Sequence, residues 1–343
     1  MIKIKKEGII LEKTNHAFEN VAVLNPAVIK EGGFVHLFYR AVSQGEYSTI
    51  GYCRLDGPIY IEERLEYPLL EAELEIEKQG LEDPRIVKID NLYYLSYTAY
   101  DGFNSQGALA ISKDLRHFKK LGLISPPVSY SDFMLGNKTG GRMSDRYYRN
   151  QLYYYKEALP GNILMVWDKN IVFFPRRIKG KLVFLHCIRP GIQIAVIENL
   201  EELNKEFWDE YFLHFQHHIF MDPFYEHESS YIGSGCPPIE TEYGWLLIYH
   251  GAKETDQGIE YCACAAALLD LENPSKIITR LPYPLIEPEY PGEKKSEVNS
   301  MVFPTGTALF GDTLFIYYGA ADEHIACASL SLSKLIAELL NSW

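Results

Sequence analysis

The chain has 343 residues, 47% hydrophobic and 23% charged, the balance of a globular protein able to bury a large core. A formal net charge of −13 argues against a nucleic-acid or anionic-membrane surface, and no stretch approaches the ~18 apolar residues of a membrane span. Aromatic residues reach 13%, with 25 Tyr, which suits strands and polar, stacking pockets.

The N-terminal stretch MIKIKKEGIILEK has neither a long apolar core nor a small-residue cleavage site, so a cytoplasmic location is expected, or a periplasmic one if a leader has been trimmed. Five later segments share a pattern: NPAVIKEGGFVHLFYRAV from Asn25, DPRIVKIDNLYYLSYTAYD from Asp83, FPRRIKGKLVFLHCIRP from Phe174, CPPIETEYGWLLIYHGAK from Cys236 and FPTGTALFGDTLFIYYGAAD from Phe303. Each reads as X-Pro, a short strand, a turn of Gly, Asp or Asn, and a strand rich in Leu, Phe and Tyr, the signature of a β-hairpin. The starts lie 58, 91, 62 and 67 residues apart, room for a four-stranded blade with its loops. Each segment closes on a polar residue: Arg40, Asp101, Arg189, His250 or Asp322. Inner strands of a propeller converge on its axis, so these repeated ends predict a ring around one pocket. Two stacked sandwiches leave them unexplained.

The predicted fold is all-β, a five-bladed β-propeller forming a single domain over 1–343. The long second spacing predicts a loop insertion around 125–170, over one face. ENLEELNKEFWDEYFLHF, from Glu198, predicts one helical turn before a strand. SLSKLIAELLNSW predicts a short C-terminal helix started by a serine cap. The six cysteines (Cys53, Cys187, Cys236, Cys262, Cys264 and Cys327) form no CxxC pair and read as buried free thiols.

No nucleophile elbow, phosphate loop, HExxH or dinucleotide-binding glycine pattern occurs, which leaves carboxylates facing a pocket. No metal and no cofactor is expected. Asp83 in EDPR is the leading acid, although Asp-Pro is also ordinary turn chemistry. Arg85, two residues on, falls on the same strand face and can hold a carboxylate in place. Glu228 in YEHESS and Glu260 at the head of EYCACAAALL read equally as pocket acids or as loop and edge charges. His250 is a substrate contact or a satisfied structural histidine. Arg176 and Arg177 in FPRRIKGK read as a solvated turn or an anion site. Two carboxyl groups suit cleavage of a glycosidic bond, one protonating the leaving oxygen and one preparing the attack.

EDPRIV at 82–87, FPRRIKGK at 174–181, IGSGCPPIETEYGWLLIYHGA at 232–252, AALLDLENPSKIITR at 266–280 and VFPTGTALFGDTLFIYYGAAD at 302–322 together resemble glycoside hydrolase family 130. The resemblance implies a five-bladed propeller acting on β-mannosides, either as a phosphorylase or as an inverting β-1,2-mannosidase. It implies that Asp83 is the general acid, acting in phosphorylases through a sugar hydroxyl, and that Asn25, Arg40 and Asp322 contact the mannose or its surroundings. Arg85, beside the acid, and Asp101, at the end of its repeat, are also expected to bind substrate. On the phosphate side the sequence departs from the family. Cys187 stands where phosphorylases typically carry Arg, and Tyr231 where they carry Lys, while Lys169 and His250 are kept. Losing two cations disfavours capture of a phosphate dianion. Glu260, where an apolar residue is more usual, would repel it.

The expectation is therefore an inverting, exo-acting β-mannosidase on β-1,2-linked manno-oligosaccharides, with Asp83 as acid and Glu228 with Glu260 as base. The first alternative is a phosphorylase holding phosphate, its co-substrate, through Lys169, Arg177, Arg189 and His250. The second is a carbohydrate-binding propeller without turnover. The expected partner is a mannose-containing oligosaccharide, and assembly into a homo-oligomer fits the family.

Overall fold

The computed structural model describes residues 2–125, 128–134, 143–157, 164–254, 260–289 and 300–342. Strand β1 is Lys5–Leu11, followed by β2 (Ala22–Glu31), β3 (Phe34–Val42), β4 (Ser48–Asp56) and β5 (Tyr60–Arg64). Next come β6 (Gly80–Ile89), β7 (Leu92–Tyr100), β8 (Ser105–Ser112) and β9 (Phe118–Leu123). Helix α1 (Asp145–Glu157) precedes β10 (Lys169–Phe173), β11 (Leu182–Cys187) and β12 (Ile192–Ile197), and α2 (Lys205–Leu213) and α3 (Phe215–His218) precede β13 (Ile219–Met221). The chain continues with β14 (Tyr231–Ser234), β15 (Ile239–Thr241), β16 (Gly244–Glu254), β17 (Glu260–Leu269) and β18 (Ile277–Arg280). It ends with β19 (Ser300–Phe310), β20 (Thr313–Ala320), β21 (His324–Ser331) and helix α4 (Leu332–Asn341).

The hairpins follow from local chemistry. Asp90 and Asn91 join β6 to β7 with φ of 49° and 64°, the left-handed pair that a two-residue turn between right-twisted strands demands. Strands β2 to β9 form one eight-stranded sheet, β10 to β13 a four-stranded sheet, and β14 to β21 with β1 a nine-stranded sheet. Inside the first sheet, two antiparallel runs of four strands meet only at a parallel bridge between Ser48 and Gly80. Gly80 has φ of 127°, and a Cβ there would lie 2.2 Å from the Ser48 carbonyl oxygen, so only glycine permits the junction. In the third sheet the parallel contact of β17 with β19 plays the same part, and β1 pairs with β21, so the two ends of the chain share one run.

Two expectations about the connections need correction. The 125–170 insertion is not only loop, since it carries α1. The segment after Glu198 holds the nine-residue α2 and the short α3, not a single turn. Both insertions pack Tyr130, Phe133, Tyr147, Trp208, Phe212 and Phe215 onto the four-stranded sheet in one aromatic cluster. The C-terminal helix forms as the sequence indicates: Ser331 caps it by accepting from the Lys334 amide, and Leu335, Ile336 and Leu339 are buried. Burial of such side chains contributes about 1.5–3 kcal/mol each. Among the described residues no helix is long and apolar enough to cross a membrane.

Candidate active site

Strands β2, β6, β10 and β19 each slip register once against the following strand, at Leu24/Ala27, Glu82/Arg85, Lys169/Val172 and Pro304/Gly306. In the first three, the residue that enters the bulge has positive φ: Asn25 at 51°, Asp83 at 49° and Asn170 at 55°. Asn and Asp are the non-glycine residues that tolerate this region best, and proline suits the next position because the bulge leaves an amide unpaired. The bulges re-aim these side chains and tie the strands together. Asn25 Nδ2 donates to Asp83 Oδ1 at 2.7 Å. Ser234 Oγ donates to the Asn170 carbonyl at 2.6 Å, and Thr305 Oγ1 to the Pro26 carbonyl at 2.8 Å.

Asp83 lies among cations. Arg40 is 3.8 Å from its Oδ1 and also donates to Glu82 Oε1 at 2.7 Å. Lys169 Nζ is 3.5 Å from Glu82 Oε2, so Glu82 bridges the two cations. Burial alone would raise the Asp83 pKa, but the charges of Arg40, Lys169 and Arg85 and the Asn25 donor outweigh it and hold the carboxyl below its ordinary value. Arg85 is 1% exposed and runs inward, donating to the carbonyls of Gly235, Asp83 and Pro84. Its guanidinium rests over the Phe303 ring at 5.7 Å, and its Nη2 is buried without a hydrogen-bond partner. His250 packs on the same Phe303 ring at 4.3 Å, and neither of its buried ring nitrogens has a partner. Burial, reinforced by Arg85 and Arg189, holds the His250 pKa well below 6.5, so the ring is neutral at pH 7. Asp322, at φ of 52°, adds to the charges that hold Arg40 protonated.

Beside Asp83 opens a cavity lined by Lys169, Asn170, Cys187, Arg189, Tyr231 and, from the insertion, Gln151. Cys187 and Tyr231, the two neutral replacements, therefore stand at this site. The Cys187 thiol meets Ser234 Oγ at 3.1 Å, and burial pushes its pKa up to about 11, so it carries no charge at neutral pH. Asn170 and Gln151 carry no motif that announces them, and Glu82, although part of EDPR, is assigned no role by the sequence. Asn170 becomes visible only as the counterpart of Asn25 and Asp83 in strand register.

Other expected residues lie elsewhere. Glu228 is fully buried with both oxygens engaged: Tyr249 and Arg280 donate to Oε1 at 2.5 and 2.6 Å, while Phe224 N, Tyr225 N and Arg280 donate to Oε2. Tyr249 and Gly251, which hold or touch Glu228, alternate on β16 with His250, so this acid is on the opposite face from the site. The same clip recurs. Glu77 takes Tyr97, Lys120 and two backbone amides, and Glu19 takes Tyr39, Arg64 and Thr14. In the four-stranded sheet His186 stands for the tyrosine, between Asp168 at 2.9 Å and the Tyr211 hydroxyl at 2.7 Å. Glu228 thus belongs to a repeated clip and faces away from the Asp83 site.

Asp101 organises its own loop, accepting from Phe103 N, Asn104 N and Asn104 Nδ2. Arg177 pairs with Asp90 at 2.7 Å, at the far hairpin end of β6, roughly 23 Å from Asp83 at ~3.3 Å per residue. It cannot serve the same anion as Lys169. Glu260 opens β17 opposite Glu254, and its side chain lies outside the described residues. Among the described residues no cluster of three or more His, Cys, Asp or Glu is arranged to hold a metal.

Comparison with known proteins agrees with this architecture. The family profile described as "beta-1,4-mannooligosaccharide phosphorylase" matches residues 3–341. The chain is 33% identical over 350 residues to a 1,2-beta-oligomannan phosphorylase of Thermoanaerobacter sp. (strain X514), covering 98% of this chain and 99% of that one. It is 33% identical over 352 residues to a beta-1,2-mannobiose phosphorylase of the same organism, covering 98% of each. The solved structure of the beta-1,2-mannobiose phosphorylase from Listeria innocua, in complex with beta-1,2-mannobiose, superposes with a TM-score of 0.72 at 22% identity over 99% of both chains. The chain belongs to glycoside hydrolase family 130.

Proposed function

We propose that the protein is an inverting β-mannoside phosphorylase acting on β-1,2-linked manno-oligosaccharides, with inorganic phosphate in place of water as the attacking group. The observation that carries this reading is the cavity beside Asp83, lined by Lys169 and the neutral donor Asn170, with the buried His250 next to Asn170 around Gly233, while one acid expected as a base, Glu228, is spent on a structural clip. Hydrolysis with inversion requires a second carboxylate about 6.5–9.5 Å from the acid, with a water between. Glu228 cannot supply it. Whole-length relatives named as phosphorylases of β-1,2-linked mannose support both the reaction and the linkage. Glu260, the other acid expected as base, has its side chain outside the described residues, so phosphorolysis is the better-supported reading and not the only one.

In this reading Asn25, Arg40 and Asp322 orient the mannosyl unit beside Asp83. A phosphate oxygen forms the new bond to the anomeric carbon as the glycosidic C–O bond breaks. Asp83 supplies the proton to the departing oxygen, directly or through a sugar hydroxyl. Because cations hold Asp83 ionised in the free protein, it must gain its proton once substrate is bound, as displacement of its Asn25 and Arg40 contacts would permit.

For the fold, a five-bladed β-propeller is the architecture that best accounts for the antiparallel runs and their interlinked bulges. The inner strands would be β2, β6, β10, β14 and β19, with β1 completing the last blade. The functional test is release of free mannose from β-1,2-mannobiose in phosphate-free and phosphate-containing buffer. The proposal expects turnover only with phosphate. Equal turnover in both would overturn it.

A further inference from the structure

We infer that Arg189 is the cation that sets this site's affinity for the attacking anion, and that Tyr231 and Gln151 hold it in position. This rests on the phosphorolytic reading above. The Arg189 guanidinium lies 3.6 Å from the centroid of the Tyr231 ring. Other such contacts among the described residues span 4.1 to 5.7 Å. A guanidinium stacked on a ring keeps its N–H donors in its own plane, in the fork that matches a phosphate edge. Tyr231 thus provides a platform where the family pattern has a charge, and the charge itself is delivered from Arg189.

Gln151 fixes the backbone from which that side chain departs. Its Nε2 donates to the Arg189 carbonyl at 2.6 Å. The residue is 1% exposed, and its Oε1 is buried without a partner at the cavity wall. Gln151 comes from α1, so the insertion contributes to the site through this contact. Arg189 faces the reaction centre electrostatically, since its charge helps keep His250 neutral.

The other cavity groups leave room for this role. Lys169 is partly committed to Glu82 at 3.5 Å. Cys187 is a neutral thiol at physiological pH, and His250 is a neutral donor. One shared lysine is a poor match for a phosphate dianion withdrawn from water, which needs several charged or polar donors.

The experiment is steady-state phosphorolysis of β-1,2-mannobiose with phosphate and mannobiose varied separately. For Arg189→Ala the KM for phosphate rises about 10–100-fold, the loss of a charge-assisted hydrogen-bond pair, while the KM for mannobiose stays within about twofold. Tyr231→Phe keeps the ring platform and raises the phosphate KM by less than Tyr231→Ala. Tyr231→Ala and Gln151→Met raise the phosphate KM by less than Arg189→Ala and have little further effect when combined with it. Millimolar guanidinium restores part of the Arg189→Ala activity, which a folding defect would not allow. Arg189→Lys, which keeps the charge but loses the planar stack, gives an intermediate KM should the alanine variant fail to fold. An unchanged phosphate KM in Arg189→Ala or Arg189→Lys, in an enzyme that does form mannose 1-phosphate, overturns the inference alone. A wild-type enzyme that never forms mannose 1-phosphate overturns the reading beneath it.

Discussion

Glu228→Gln separates a clip from a catalyst. The substitution keeps the side chain's shape but removes the charge facing Arg280, and it turns one acceptor oxygen into an amide that meets Tyr249 or Arg280 donor to donor. Breaking one partner of a buried ion pair costs about 3–5 kcal/mol. For a chain of this length, with roughly 2 °C of Tm per kcal/mol, the expected fall is about 6–10 °C. Glu77→Gln, in the equivalent clip with Tyr97 and Lys120, should cost a similar amount. The assay is thermal unfolding of both variants beside phosphorolysis at 25 °C, where both remain folded, and kcat should then stay within about threefold of wild type for each. A loss of about 10³-fold or more in kcat for Glu228→Gln at an unchanged Tm, the scale expected for a lost acid or base, would refute the assignment and return Glu228 to the reaction.

Further outcomes follow from the same geometry. Asp83→Asn should lower kcat about 10²–10⁴-fold with the Tm nearly kept, because the amide can still accept from Asn25; kcat within tenfold of wild type would remove Asp83 from the acid role. Glu82→Gln should lower the phosphate KM, by releasing Lys169 from a competing carboxylate, and lower kcat, by loosening Arg40; a raised phosphate KM would contradict the bridging role. Arg177→Ala should leave the phosphate KM within about twofold, given its ~3.3 Å-per-residue separation along β6. His250 is held below its unfolded value near 6.5, so unfolded chains bind more protons and stability falls as pH drops below that value. Urea titrations from pH 7.5 to 5 should show His250→Gln losing less, by up to about 1.4 kcal/mol per pH unit, and parallel curves would refute it. The Glu228 carboxyl is depressed by Arg280 and Tyr249 against the opposing effect of burial, so its contribution is present above about pH 4.5 and lost as pH falls through the lower folded value.

The sequence reveals the hairpins because their turns need special backbone angles, as at Asp90–Asn91. It reveals Asp83 because Asp-Pro at a strand mouth is both a bulge signature and an acid. The third repeat is harder to read. Its X-Pro, Phe174–Pro175, follows β10, whereas the equivalent of Asn25 and Asp83 is Asn170, with no proline after it. That offset put Arg177 beside the site in the sequence and at the opposite end of the strands in the fold. Glu228 misleads for a different reason: a buried acid near glycines looks alike in both roles. Its meaning emerges from a six-residue offset, Glu19 to Asn25, Glu77 to Asp83 and Glu228 to Ser234, which marks the clip only once tyrosines Tyr39, Tyr97 and Tyr249 are seen to hold those acids. Arg189 over Tyr231 is a tertiary contact between residues 42 positions apart, so the sequence names Arg189 as a candidate for the phosphate but not the ring it rests on.

The most direct measurement is phosphorus and proton NMR of a β-1,2-mannobiose digest in phosphate buffer. A single displacement by phosphate should give α-mannose 1-phosphate in equal amount to mannose. Two equivalents of mannose with no phosphorylated product would show that water is the attacking group and contradict the account.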